Sequence, residues 1–346
     1  MDLATTSHRE GSALLGTELE QGMPGGRALH MLLSSAGRRV SLMRSFREAG
    51  GILGADLTMV TCDMTPEWSP ACIEADKAFA APPAESAEFI PAMLDICKAE
   101  QIGLLVPTID TELLAYSEAR DQFSAIGCHV AVSDEPIVQM ARDKLATANF
   151  LAQAGLPSPR TISLEEFVGG GAELALPLLA KPRHGSSSRG IMMVHDREQL
   201  HDLQRSEPYI LQEYLQGREF TISLYFDGEG TLKCAVPHER LRVRSGEVEK
   251  GVTVRDPALL DIAWQLGRSL KGARGAMCFQ VRMDAGGQPS IFEINARFGG
   301  GYPLAHRAGA KFARWMLEER LGLPSTASDD WQEGVLMLRF DDAVFV

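Results

Sequence analysis

From residue 28 onward, short apolar segments alternate with segments whose apolar residues recur at helical spacing. Strands that alternate with helices predict a parallel sheet covered by helices on both faces. Ligands of such sheets bind at the carboxyl ends of the strands. The predicted strands are residues 29–33, 57–62, 103–107 and 130–133, and the predicted helices are residues 40–49 and 87–100.

The pattern changes beyond residue 135. A helix predicted over residues 135–154 ends in a stop rich in Gly and Pro, which is typical of a domain boundary. Apolar and polar residues then alternate as in antiparallel strands, so the predicted fold class is α/β with α+β lobes in the C-terminal part. The predicted strands lie near residues 181–182 and 191–194 and over residues 209–226 and 232–243, and the helices lie over residues 257–271 and 304–321.

Composition narrows the class of protein. The chain has 346 residues, of which 45% are hydrophobic and 23% charged, as in a globular protein with two or three domains. A net charge of -12 argues against nucleic acid as a partner, so phosphate recognition should be local. The six cysteines form no C-x-x-C pair, and no apolar run could span a bilayer, which predicts a cytoplasmic protein with reduced thiols and no membrane partner. Residues 1–27 show no periodicity and predict a flexible extension.

A polar strand near the end of the chain carries the strongest chemical signal. Glu293, Asn295 and Arg297 alternate with Phe292, Ile294 and Ala296, so the two sets should face opposite sides. A hairpin would bring the Gln280 amide beside the polar side. Oxygen ligands beside an arginine suit Mg²⁺ with bound phosphate, and Mn²⁺ could replace it. A half-exposed strand with solvated side chains would show the same pattern.

A second signal is the loop of residues 184–190, which is small, polar and bounded by glycines. Such a loop can wrap backbone N–H groups around phosphate oxygens, although a simple hairpin turn has the same composition. Lys144 precedes the loop on a helix, and Lys181 interrupts the apolar run that leads into it. A lysine in an apolar run must pair or bind an anion, because a buried unpaired ammonium is costly.

A third signal is an apolar strand that breaks at residues 215–217 and resumes. The break predicts a hinge whose backbone groups could bind an adenine edge, with Glu219 accepting ribose hydroxyls. A β-hairpin with charged turn residues is the alternative.

In combination, these elements resemble the ATP-grasp superfamily, and within it the branch of the carbamoyl-phosphate synthetase large subunit and biotin carboxylase. The likeness runs from about residue 29 onward. It implies a Rossmann-like pre-ATP-grasp domain over residues 28–135, an N-terminal lobe with a lid over residues 136–214, and a C-terminal lobe with the metal site over residues 215–346.

The same likeness implies roles for individual residues. Gln280, Glu293 and Asn295 would ligate magnesium, although many relatives have an acid in place of Gln280, and Glu219 would bind the ribose. Arg297 and Lys181 would act on the transferred phosphate. The remaining ATP contacts would be Lys144, Ser186, Ser187, Ser188, Gly190, Gln212, Glu213, Tyr214 and Leu215.

Substrate contacts are expected at the carboxyl edge of the first sheet. Gly37 and Arg38 follow the first strand, and Asp110 and Glu112 follow a later one, although these two acids could instead cap a helix. In the charged stretch of residues 240–251, strand alternation would place Arg240, Arg242 and Arg244 on one face, so Arg242 and Arg244 could hold an acidic substrate. A solvated ribbon would have the same sequence.

The implied function is an ATP-dependent carboxylate-amine or carboxylate-thiol ligase that forms an acyl phosphate and releases ADP and phosphate. Its partners would be a small carboxylate and a small amine, and a homodimer is the commonest oligomer for such a chain. One alternative is a non-catalytic ATP-binding sensor. A dinucleotide-dependent oxidoreductase is disfavoured because no G-x-G-x-x-G turn follows the first strand, and a P-loop NTPase is disfavoured because no Walker motif occurs.

Overall fold

A computed structural model describes residues 27–171, 173–185, 189–200 and 207–346. The first domain is a parallel sheet of five strands in the order β3-β2-β1-β4-β5. Ser34 at the end of β1 pairs with Pro107 at the end of β4, so the loops that follow these strands are neighbours. The strands are β1 Ala28–Ser34, β2 Asp56–Asp63, β3 Lys77–Ala80, β4 Ile102–Pro107 and β5 His129–Val130.

Both faces of this sheet are buried, as parallel sheets require. Leu32 and Val60 enter one apolar cluster, whereas Met31 and Met59 enter the other, because successive side chains of a strand point to opposite faces. The surrounding helices are α1 Val40–Leu53, α2 Pro70–Glu74, α3 Phe89–Ala99, α4 Leu113–Glu118 and α5 Arg120–Ala125.

The helix predicted over residues 135–154 is in fact two helices, α6 Glu135–Arg142 and α7 Lys144–Gln153. Asp143 stands between them in an extended conformation, and its side chain accepts hydrogen bonds from the first free N–H groups of α7. An aspartate in this position is a strong helix start signal. The break makes Lys144 the first residue of α7.

A small antiparallel sheet follows, in the order β6-β9-β7-β8, with its own apolar cluster. Lys181 lies on the central strand β7, among residues that are otherwise buried and apolar. The elements are β6 Thr161–Ser163, α8 Leu164–Val168, β7 Leu178–Pro182, β8 Met192–Val194 and β9 Tyr209–Glu213.

The last sheet is antiparallel and has the order β14-β13-β10-β11-β12-β15. Its strands are β10 Arg218–Phe226, β11 Leu232–Arg244, β12 Glu247–Thr253, β13 Gly275–Met283, β14 Pro289–Asn295 and β15 Leu336–Leu338. Three helices accompany it, α9 Pro257–Ser269, α10 Tyr302–Arg307 and α11 Phe312–Arg320. A parallel domain followed by antiparallel lobes confirms the predicted fold class.

The single helix predicted over residues 304–321 is also wrong, since α10 and α11 are separate. Gly309, with φ +114, follows the end of α10 and turns the chain, a conformation that residues with a side chain rarely adopt. Among the described residues, no helix is both long enough and apolar enough to cross a membrane.

Candidate active site

A cleft of about 420 Å³ lies between the two antiparallel sheets, and residues predicted from three separate parts of the sequence line it together. The small sheet and α7 contribute the lysines, and the large sheet contributes the polar strand. The predicted residues that line this cleft, which we term the nucleotide cleft, are Lys144, Lys181, Gln212, Glu213, Tyr214, Leu215, Glu219, Gln280, Glu293, Asn295 and Arg297.

Lys181 is buried in the wall of the nucleotide cleft. Its Nζ donates a hydrogen bond of 2.6 Å to Gln212 Oε1 and lies 5.1 Å from the centre of the Phe292 ring. Burial lowers the pKa of Lys181 to about 8, with the charge of Glu293 opposing the shift and the charge of Lys144 adding to it. Among the described residues no carboxylate contacts this ammonium directly, so it is prepared to receive an anion.

Lys144 reaches the same cleft from the first turn of α7. Its Nζ donates to the carbonyl oxygen of Gly185 at the start of the glycine-bounded loop. Burial lowers the pKa of Lys144, and the nearby charge of Glu293 opposes that shift. Both lysines therefore lie close enough to Glu293 for its charge to act on their pKa values.

The predicted hairpin forms between β13 and β14. Gln280 pairs with Glu293 and Cys278 pairs with Asn295, so both β14 side chains face the nucleotide cleft beside the Gln280 amide. The expectation that Phe292 faces the opposite side is wrong. A bulge after Gln280 leaves Phe292 unpaired, and its ring lines the cleft beneath Lys181.

The donor set of Gln280, Glu293 and Asn295 fits a hard divalent cation. All three side chains offer oxygen, and the neighbouring lysines would hold the phosphates that complete a magnesium coordination sphere. The set contains one carboxylate. Among the described residues, no group of three or more His, Cys, Asp or Glu side chains could hold a metal by itself. A cation at this position would therefore need further ligands, such as phosphate oxygens.

Arg297 joins the nucleotide cleft to the first domain. Its Nη2 donates a hydrogen bond of 2.6 Å to Asp110 Oδ2, in the loop after β4, and one of 3.3 Å to Asn295 Oδ1. Its Nη1 donates a hydrogen bond to the Phe298 carbonyl oxygen. Burial is the largest single influence and acts to lower the pKa of Arg297, but Asp110, Cys278 and Glu293 together outweigh it, and the net shift is upward. The guanidinium thus stays charged beside the predicted metal ligands.

The predicted hinge falls between β9 and β10, which belong to different sheets. Tyr214 and Leu215 lie at the break and line the cleft. Gln212 is buried. Its Oε1 accepts a hydrogen bond from Lys181 Nζ, and its Nε2 donates one to Thr161 Oγ1. The N–H of Glu213 already donates to the Arg160 carbonyl, so Glu213 could offer an adenine only its carbonyl oxygen, beside the backbone groups of residues 214 and 215.

Glu219 has unexpected partners. Its carboxylate accepts from Arg240 Nη1 and from Arg282 Nη2, each at 2.5 Å. A ribose hydroxyl would have to share the carboxylate with these two arginines. Sequence reasoning missed Arg282. Its position two residues after Gln280 on β13, which predicts the same face of the strand, could have identified it.

The expectation that Arg240, Arg242 and Arg244 share one face is wrong. Register shifts on either side of Arg242 break the alternation of β11. The Arg240 side chain is 5% exposed and faces the nucleotide cleft, whereas the Arg242 side chain is 64% exposed, pairs with Glu249 and lines neither cavity.

A second cavity of about 850 Å³, which we term the acceptor cavity, adjoins the nucleotide cleft. Gly37, Arg38 and Arg244 line it, as does Arg39, which sequence reasoning missed. The two cavities share wall residues, so they adjoin along a common border, which we term the neck. The shared residues are Ser245, Glu247, Val248, Gly299 and Gly300.

Glu112 lines neither cavity, because it is completely buried. Its carboxylate accepts from Ser34 Oγ and Ser35 Oγ on one side and from the N–H groups of Thr108 and Ile109 on the other. Burial raises the pKa of Glu112 against these four hydrogen bonds. It therefore binds together the loops after β1 and β4 and is not placed to contact a substrate.

The glycine-bounded loop is described in part. Ser186, Ser187 and Ser188 lie outside the described residues. Gly185 and Arg189 line the nucleotide cleft, while Gly190 has φ +70 and its carbonyl accepts from Tyr209 Oη at 3.3 Å.

A Rossmann-like domain followed by two antiparallel lobes around a cleft lined with lysines defines an ATP-grasp architecture. The model "ATP-grasp in the biosynthetic pathway with Ter operon" matches residues 205–343, and the model "PylC-like, N-terminal domain" matches residues 31–131. The chain thus contains an ATP-grasp domain preceded by a PylC-like domain.

Individual proteins support this assignment at low identity. The phosphoribosylamine–glycine ligase of Salmonella typhimurium is 24% identical over 242 residues, which cover 61% of this chain and 56% of the ligase. The chain thus spans little more than half of that relative's length.

Two solved structures share the fold. An L-amino acid ligase from Bacillus licheniformis superposes with a TM-score of 0.66 at 18% identity, over 87% of this chain and 76% of its own. The biotin carboxylase domain of Hydrogenobacter thermophilus 2-oxoglutarate carboxylase, in complex with MgADP and bicarbonate, has a TM-score of 0.69 at 16% identity. The match covers 86% of this chain and 71% of that domain's chain. The second match lies in the biotin carboxylase branch that the sequence resembles.

Proposed function

We propose that this protein is an ATP-dependent ligase that activates a carboxylate as an acyl phosphate and transfers the acyl group to an amine or thiol, with ADP and phosphate as products. The observation that carries the proposal is the meeting of Lys144, Lys181, Glu293 and Asn295 at one cleft that adjoins a second cavity. The names of the similar ligases agree with this chemistry.

The residues of the chain supply alignment and charge. Lys144 and Lys181 bind the phosphates of ATP, and residues 214 and 215 contact the adenine. A substrate carboxylate oxygen attacks the γ-phosphorus, the bond to the β,γ-bridging oxygen breaks, and ADP leaves. The nucleophile then attacks the acyl carbon, phosphate leaves and a proton is released. Arg297 stabilises the negative charge that develops on the transferred group.

Gln280, Glu293 and Asn295 would hold Mg²⁺, with Mn²⁺ as a substitute. When bound, the ion would neutralise phosphate charge and act as a Lewis acid. Because the protein supplies one carboxylate, we expect the cation to bind together with the nucleotide and weakly without it.

The acceptor cavity is the proposed site of the small carboxylate and its partner substrate. Its wall comes from the loop after β1, the β11–β12 hairpin and residues 298–303. A cytoplasmic location, a homodimer and the domain divisions at residues 28, 136 and 215 remain predictions from the sequence.

One observation favours a second candidate, a nucleotide-binding sensor without catalysis. The cation ligands include a single carboxylate, Glu293, which would lower cation affinity. A sensor would bind ATP in the same cleft and release no ADP when substrates are added.

The test measures ADP release from Mg-ATP with a panel of carboxylates and amines, for the wild type and for Glu293→Ala. We expect substrate-dependent ADP release in the wild type and a loss of at least a hundredfold in the variant. Glu67→Ala removes an exposed carboxylate that lines neither cavity and is the matched control. Retained ADP formation in Glu293→Ala would reject the metal assignment, and ATP binding without ADP release for every pair would favour the sensor.

A further inference from the structure

The neck between the two cavities carries two charged groups that are incompletely paired. Glu247 lines both cavities, and Arg39 lines the acceptor side. Their closest atoms, Arg39 Nη1 and Glu247 Oε1, are 3.9 Å apart, which is too far for a hydrogen bond. Opposite charges this close without a hydrogen bond leave both groups able to bind a ligand.

Within the described part of the chain, Arg39 makes one long hydrogen bond, from Nη2 to the Thr108 carbonyl at 3.3 Å. A guanidinium has five N–H donors, so most of its donors are unused. The Arg39 side chain is 21% exposed, and the exposed part borders the acceptor cavity. Burial lowers the pKa of Arg39, and the positive charge of Arg297 lowers it further. The two arginines therefore lie close to the same neck.

Glu247 is fixed on one side and open on the other. Its Oε2 accepts from Arg339 Nη1 at 3.0 Å, whereas Oε1 accepts no hydrogen bond among the described residues. Gly300 makes this placement feasible, because a Cβ at that position would lie 2.1 Å from Glu247 Oε2. The free oxygen can therefore accept from a cationic group of a ligand.

The position of the pair sets the orientation of that ligand. The Thr108 carbonyl that binds Arg39 lies two residues from Asp110, which holds Arg297, and Arg297 contacts Asn295. Arg39 is also close enough to Arg297 and Asp110 for their charges to act on its pKa, so a carboxylate bound to Arg39 would lie near the Arg297 end of the neck. A cation bound to Glu247 would lie next to it, at the spacing of two groups carried by one carbon.

We propose that the acyl donor of this ligase is an α-amino acid, with its carboxylate bound by Arg39 and its ammonium bound by Glu247. The inference rests on the proposed function and narrows its substrate class. An ammonium paired with a carboxylate keeps its proton and is no nucleophile, so the amino acid reacts through its carboxylate. Apolar walls formed by Val40, Phe298 and Met337 would receive its side chain.

The test uses hydroxylamine, which traps an acyl phosphate as a hydroxamate and makes the natural nucleophile unnecessary. The full-length protein with Mg-ATP is given L-phenylalanine, L-leucine and the other common amino acids, each compared with its deamino acid and its N-acetyl derivative. We expect ADP and hydroxamate in equal amounts with at least one free amino acid. The matching compounds without an ammonium should react at least tenfold more slowly.

Two variants test the residues. Glu247→Gln and Arg39→Met should each raise the KM for the amino acid at least tenfold and change the KM for ATP less than twofold, because charged hydrogen bonds to the substrate are lost. Glu67→Gln and Arg47→Met remove exposed charges that line neither cavity and are the matched controls. Equal use of 3-phenylpropanoate and phenylalanine, or an unchanged KM in Glu247→Gln, would overturn the assignment.

Calorimetry separates this inference from the ligase proposal. Amino acid binding in the presence of MgADP that disappears in Glu247→Gln, without turnover, would retain the zwitterion site and reject the ligase. Turnover of deamino acids would retain the ligase and reject the zwitterion site. If no amino acid is bound or turned over, the zwitterion site is also rejected.

Discussion

Arg297 and Asp110 are 187 positions apart in the sequence, yet Arg297 Nη2 and Asp110 Oδ2 are 2.6 Å apart. Both side chains are 16% exposed, so water screens the pair little. The contact ties the strand with the predicted metal ligands to the loop after β4 of the first domain. The ATP-grasp domain and the domain that precedes it thus share one electrostatic site.

Asp110→Asn should weaken that site. The substitution leaves the Arg297 charge without its carboxylate, so we expect the free energy of unfolding to fall by about 1 to 3 kcal/mol and ADP release to fall at least tenfold. Urea unfolding and a coupled ADP assay measure the two effects. Asp121→Asn, on the exposed side of α5, is the control. Wild-type values for Asp110→Asn in both assays would show that Arg297 does not depend on Asp110.

The lowered pKa of Lys181 predicts a pH dependence of ATP binding. Its pKa of about 8 means that the ammonium loses its proton as the pH rises beyond that value. ATP affinity of the wild type should therefore decrease between pH 7 and 9.5. Lys181→Arg keeps a positive charge over that range, so its affinity should change less with pH.

The same pKa fixes the sign of a stability effect. A folded-state pKa below the ordinary value near 10.5 means that the unfolded chain binds the proton more tightly. Lys181 therefore contributes increasing stability to the ligand-free protein as the pH rises from about 8 to 10.5.

An ATP affinity in the wild type that does not vary with pH would contradict the assignment of Lys181 to phosphate binding.

Glu112 should matter for stability more than for substrate contact. Glu112→Ala leaves four donors, two of them in buried hydrogen bonds, without this acceptor and should cost roughly 3 kcal/mol, whereas Glu112→Gln retains an acceptor and should cost less. Urea unfolding of both variants checks the order.

Burial raises the pKa of Glu112, so its protonated form is favoured in the folded state, and the stability it contributes at acid pH is lost as the pH rises through the raised pKa. The stability difference between wild type and Glu112→Gln should therefore shrink from pH 5 to pH 8. A difference that grows over this range would contradict the buried placement.

Gly217 is a steric requirement of the hinge between the two antiparallel sheets. Its φ is +117, and a Cβ at this position would lie 2.0 Å from the Met283 carbonyl oxygen. Gly217→Ala should lower the free energy of unfolding by more than about 2 kcal/mol, because both the dihedral and the contact must change.

Gly51→Ala is the matched control for the hinge. Gly51 lies in α1, where a Cβ would meet nothing within 4 Å, so the change should stabilise the protein by about 0.5 to 1 kcal/mol. Thermal unfolding of the two variants gives the comparison. Equal melting temperatures would show that the hinge accommodates a side chain.

Local sequence patterns predicted the main elements of the chain because they depend on near neighbours. The apolar runs of β1 and β4 and the common face of Glu293 and Asn295 in β14 follow from strand periodicity alone. The position of Gln280 beside these two residues was also predictable, since a short turn joins β13 and β14. Lys181 was conspicuous because a charge inside an apolar run demands a partner.

Other features could not be predicted from the sequence, because they depend on backbone irregularities that many sequences tolerate. A bulge turns Phe292 into the nucleotide cleft, and two register shifts separate Arg240 from Arg242. Asp143 breaks a helix that periodicity alone would continue, and Gly309 does the same near the end of the chain. Each changes the direction of neighbouring side chains while the hydrophobic pattern stays nearly the same.

The sequence by itself determined the order of the main strands and helices, the types of side chain available for phosphate and cation binding, and a likeness to the ATP-grasp superfamily. Only the tertiary structure decided which charges meet. Asp110 finds Arg297, Glu219 finds two arginines, and Arg39 meets Glu247 at the neck. These pairs join residues far apart in the chain, and their distances are set by how three sheets pack, which no local pattern encodes.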